Sequence, residues 1–141
     1  MRRTIPLLIA ATITLLGALT ARAGDIKIIA NSSVGASSVS TDELKNVFLA
    51  TKTSLSDGSH VEPVLEKDGP THEAFLKEFV GKSDSALETY YRSLVFTGKA
   101  SMPKTTGSDA DMVAYVAKTK GAIGYVSGAA NTAGVKTLEV K

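Results

Sequence analysis

The feature that most constrains this chain is the exchange, repeated along its length, between short β-branched runs and longer apolar stripes at helical spacing. Ile26, Ile28 and Ile29 form an apolar run, and Asn31 to Gly35 ends it with turn-forming residues. This predicts a buried first strand and a polar loop. Ser40-Thr41-Asp42-Glu43 has the capping-box spacing, and Leu44, Val47 and Phe48 follow it, so a short amphipathic helix is expected from about Thr41. The turn Ser56-Asp57-Gly58-Ser59 leads to a second strand, Val61 to Glu66. Pro70 then stands where the first turn of a helix tolerates proline and Gly81 where its end favours glycine, around Phe75, Leu76, Phe79 and Val80. Ser83 caps a third helix carrying Leu87, Tyr90, Tyr91, Leu94 and Val95. Ser108 caps a fourth carrying Met112, Val113, Tyr115 and Val116. Gly121 to Val126 and Val135 to Val140 read as closing strands, with Lys99 to Thr106 as a loop between the last two helices.

Strands that alternate with helices need crossover connections, so the expected class is α/β with a mainly parallel sheet flanked by about four helices. The N-terminus stands apart from this pattern. Arg2 and Arg3 precede an apolar run from Ile5 to Leu19, and Ala21-Arg22-Ala23 supplies a small-x-small cleavage signature. Residues 1–23 therefore read as an export signal rather than a membrane span, which wants about 20 apolar residues. Residues 24–141 form one domain, expected in the periplasm or outside the cell with no membrane span after cleavage. The chain has no cysteine, which excludes a disulfide scaffold and thiol chemistry. Of its 16 basic residues three leave with the signal, against 14 acidic ones. What remains carries one more acid than base, and no nucleic-acid partner is expected.

Little in the domain points to catalysis. His60 and His72 lack metal-ligand spacing and read as solvated surface residues, so neither a metal nor a cofactor is expected. No Walker loop, no G-x-G-x-x-G after the first strand and no G-x-S-x-G elbow occurs. Glu62 and Glu66 share a strand face, which reads as a polar strand edge before it reads as an acid–base pair. The expectation is a non-enzyme. One local pattern suggests a ligand. Gly69-Pro70-Thr71-His72 opens a helix directly after a strand, where free N–H groups and the positive end of the helix dipole converge. Lys67 or His72 could add positive charge, and the Ser32-Ser33 loop is expected at the same carboxyl edge of the sheet.

Four stretches carry a family resemblance: Asp42 to Leu49, Val95 to Lys99, Gly107-Ser108-Asp109 and Gly121 to Val126. Together they resemble the phosphate-binding proteins of bacterial ABC transporters, in particular a group of short, single-lobe relatives. The resemblance covers nearly all of residues 24–141. It implies one lobe of a type 2 periplasmic-binding fold, with phosphate or another oxyanion such as sulfate as the ligand. In that family the second strand leads into an Arg-x-x-Gly-Ser-Gly-Thr segment that contacts phosphate. Thr71 matches the Thr, while Pro70 falls on the preceding Gly, Gly69 on the Ser and Leu65 on the Arg. Two principal ligands of the family pattern are therefore absent. A partner chain acting as the second lobe, or an envelope protein docked on a lobe that has lost its ligand residues, is the alternative that this departure opens.

Overall fold

A computed structural model describes residues 26–141; the expected export signal, residues 1–23, lies outside the described residues. In chain order the elements are β1 (Ile26–Ala30), β2 (Ser38–Val39), α1 (Thr41–Phe48), β3 (Glu62–Glu66) and α2 (Pro70–Phe75). They continue with α3 (Asp84–Phe96), β4 (Lys104–Thr106), α4 (Asp109–Lys118), β5 (Ala122–Ser127) and β6 (Lys136–Val140). A π-helical stretch, Leu76–Val80, prolongs α2.

Helix starts follow the serine signals. Ser40 Oγ accepts from the Glu43 N–H at 3.1 Å while the Glu43 carboxylate accepts from the Ser40 N–H, closing the capping box of α1. Ser83 and Ser108 cap α3 and α4 in the same sense, accepting from the N–H groups of Ala86 and Asp111 at 3.2 Å. Gly81, with φ 74°, ends the π-helical stretch in the left-handed region that glycine enters without a Cβ clash.

All six strands form one sheet in the order β2-β6-β1-β5-β3-β4. β2 with β6, β5 with β3, and β3 with β4 are parallel pairs, whereas β1 is antiparallel to both of its neighbours. Five strands thus share a direction and β1 opposes them. Side chains alternate across the sheet and feed two cores. On one face Ile28, Leu65 and Tyr125 pack with Leu44 and Phe48 of α1, Phe75 of α2 and Leu87 and Tyr91 of α3. On the other, Ile29, Val64, Ala122 and Val126 pack with Met112 and Val116 of α4. Gly124 makes the second contact close: a Cβ there would stand 2.5 Å from Met112 Sδ.

The reversal of β1 corrects one expectation. Ala30 pairs with Ile123 near the start of β5, so the loop after β1 emerges at the sheet edge where β3 and β5 begin. β2 and β4 were not expected as strands, and Val95, expected in the apolar stripe of α3, is 44% exposed.

Candidate functional site

α2 starts directly beyond the carboxyl end of β3, as its sequence signals require. Gly69 is its N-cap with φ 101°, Pro70 takes the first helical position, and no side chain caps the helix. α2 is thus the only described α-helix that lacks a serine cap. The first N–H groups of a helix have no intrahelical acceptor, and those of Thr71 and His72 have no hydrogen-bond acceptor among the described residues. Pro70 is exposed, Gly69 and Thr71 are half-buried, and Lys67 is exposed beside them.

Ser32 and Ser33 do not join this group. Ser33 Oγ accepts from the Gly121 N–H at 3.0 Å. Asn31 Nδ2 donates to the carbonyls of Val116 and Ala117 at the end of α4. Both contacts belong to the opposite sheet edge, near a helix C-terminus whose dipole disfavours anions. The cause is the direction of β1.

His72 departs from its expected surface position. It is 2% exposed, with Nδ1 against Tyr125 Oη and Nε2 2.8 Å from Asp84 Oδ1. Tyr125 Oη in turn accepts from the Glu66 N–H at 2.8 Å. A single proton arrangement satisfies the chain: Glu66 N–H donates to Tyr125, Tyr125 O–H donates to Nδ1, and the Nε2–H donates to Asp84. His72 therefore has both ring nitrogens engaged and offers a ligand only its backbone N–H. Tyr125 is also stacked on Phe75, ring centroids 3.8 Å apart and 6° from parallel. Burial pushes the Tyr125 hydroxyl far above the usual phenol range.

The second polar group at this edge centres on Glu66. It pairs with Thr106 across β3 and β4 and is 4% exposed. Burial, then the adjoining Asp109 side chain as hydrogen-bond partner and as charge, pushes its carboxyl up to about 8. Glu66 is consequently held mostly in its neutral form at pH 7. Glu66 Oε1 and Thr106 Oγ1 are buried without partners. Asp109, at the start of α4, accepts from the Ser127 N–H at 3.3 Å. Glu62 is exposed at the far end of the same strand, so the two glutamates do not act together. Beside α2 a cavity of about 370 Å³ is lined by Glu66, Lys67, His72, Asp84, Leu87 and Thr105 among others; Gly69, Pro70 and Thr71 are not in its lining. Leu65, at the position where the family resemblance calls for Arg, is 6% exposed and belongs to the core. No group of three or more metal-ligating side chains occurs among the described residues.

Asp84, Tyr125, Asp109 and Thr106 were not legible as site residues. His72 had a usable signal, since it precedes Phe75 by three residues, Leu76 by four and Phe79 by seven and so lies on the apolar stripe.

The fold matches a single lobe of a periplasmic-binding-protein fold, as comparison with solved structures shows. A chain from Clostridium perfringens, described as a phosphate ABC transporter substrate-binding protein and solved with bound phosphate, superposes with a TM-score of 0.63 at 16% identity. An ABC-type phosphate transport receptor from Vibrio cholerae gives 0.64 at 15% identity. A possible phosphate-binding protein from Planctomyces limnophilus gives 0.57 at 15%. Each match covers 82% of this chain and 44%, 45% and 41% of the respective partner, so this chain spans less than half the length of the structures it resembles. No protein-family model matches the sequence, and no curated protein matches it significantly.

Proposed function

We propose that this chain is an exported, non-enzymatic solute-binding domain whose ligand is phosphate or another small oxyanion, received at the start of α2. The observation that carries the reading is an uncapped helix start at the carboxyl end of β3, in a fold shared with phosphate-binding proteins. Two backbone N–H groups, the Thr71 hydroxyl and Lys67 are the donors available there. A neutral Glu66 removes one negative charge from the neighbourhood at pH 7. The site is open and one-sided: no guanidinium clamps the anion, and Lys67 supplies a point charge in place of a planar fork. Affinity is therefore modest, because a dianion taken from water needs charge-assisted partners on several sides. Calorimetric titration with phosphate and with sulfate tests the reading. Absence of heat with both at millimolar concentration removes it.

A second reading, an envelope interaction module, draws on Leu65: the position that would hold the anion-binding Arg is filled by core packing.

A further inference from the structure

We infer that a groove along the first half of β3 docks an acidic segment of another protein, with apolar side chains set between its carboxylates. β4 pairs only with Val64, Leu65 and Glu66. Beside Glu62 and Pro63 that flank of the sheet has no strand, and residues 99–103 border a groove of about 390 Å³. Its walls include Val47, Ala50, Tyr91 and Met102, and its charged lining is Lys52, Lys99 and Lys104 against Glu62 alone. None of the three lysines forms an ion pair among the described residues, and Lys104 Nζ stands 5.7 Å from the Tyr115 ring centroid. Met102 is 52% exposed, and Phe96, on the last turn of α3 that leads to this segment, is 92% exposed.

Uncompensated positive charge around an apolar recess selects its complement. An acidic partner relieves lysine–lysine repulsion, while its apolar side chains remove Met102 from water. A second copy of this chain fits poorly, because a two-fold contact would set the same basic rim against itself. This inference does not rest on the oxyanion reading, since the groove follows the opening residues of β3 and α2 begins after its last.

The test is fluorescence anisotropy of the full chain with a labelled Glu-Val-Glu-Val-Glu-Val peptide and its Lys-Val counterpart. The acidic peptide is expected to bind, with affinity falling as salt rises, and the basic one not to bind. Lys99→Glu combined with Lys104→Glu should weaken the acidic peptide at least roughly tenfold, the scale of a lost charge complementarity. Met102→Asp should weaken it as well, with circular dichroism unchanged in both variants to show that the fold persists. Equal binding of both peptides, binding of neither, or indifference to the lysine reversals overturns the inference. So does binding to phosphatidylglycerol vesicles without the peptide, or self-association that Met102→Asp abolishes. Phosphate titration of the same variants should be unchanged, which separates failure here from failure of the anion site.

Discussion

Replacing Glu66 by Gln tests the reasoning about the carboxyl edge most directly, because the amide keeps the side chain's size and removes its proton equilibrium. The carboxyl titrates at about 8 when folded against an ordinary 4.5. The folded state therefore holds its proton more tightly than the unfolded state. Stability from this group is greatest below the unfolded value, falls as pH rises from 4.5 toward 8, and is constant above that. At pH 7 the native protein has lost up to 2.5 pH intervals of linkage, each worth about 1.4 kcal/mol, so the penalty is on the order of 3 kcal/mol. Glu66→Gln removes it, and its amide can donate to Asp109. Urea unfolding of both proteins at about pH 5, 7 and 9 measures the difference. The variant should gain little at the lowest pH and increasingly more toward the highest, with the wild-type slope between them flattened. An equal gap at all three values would refute the argument, since a gap independent of pH reports packing and not protonation.

Thr71→Ala should weaken oxyanion binding by about 1 kcal/mol, the net worth of one hydrogen bond, as read by calorimetry. Tyr125→Phe leaves the Glu66 N–H and His72 Nδ1 without their shared partner; a loss of about 2 kcal/mol is expected in urea unfolding. Gly124→Ala drives a methyl against Met112 Sδ and should cost about 1–3 kcal/mol by overpacking, with Gly124→Ala in a Met112→Ala background recovering part of it. Ser83→Ala removes the cap of α3, and a loss of about 1 kcal/mol is expected in thermal or urea unfolding.

What could be read from the chain was what short-range chemistry writes into it. The serines at 40, 83 and 108 mark helix starts because capping acts within three residues, and all three cap as expected. Long-range pairing leaves no such mark. An apolar run such as Ile26 to Ala30 reports burial equally well for either strand direction, so the antiparallel setting of β1, and with it the displacement of Ser32 and Ser33, was not legible. β2 and β4 are two and three residues long, too short for alternation to register. The π-helical turn escaped notice because Phe75, Leu76, Phe79 and Val80 fit the α spacing as well. Glu66 carried a weak signal, two residues beyond the buried Val64 on the same strand face. Reading it requires knowing that α4 covers that face.

The reversed β1 and the buried edge of β3 together explain why this lobe handles charge as it does. Had β1 run with the others, the Ser32-Ser33 hydroxyls would share the edge at which α2 begins, and a second set of neutral donors would face an anion there. With β1 reversed, the Ser33 hydroxyl serves the start of β5 instead, and Glu66, Asp109 and Asp84 are the acidic side chains among the polar groups of the carboxyl edge. Protonation of Glu66 then removes one of the negative charges that would repel an anion there. On the oxyanion reading, ligand and proton must favour each other: an anion at Thr71 raises the proton affinity of Glu66, and by reciprocity a protonated Glu66 raises affinity for the anion. Sulfate, whose own charge does not change in this range, should bind less well as pH passes about 8, and Glu66→Gln should hold binding constant across the same interval.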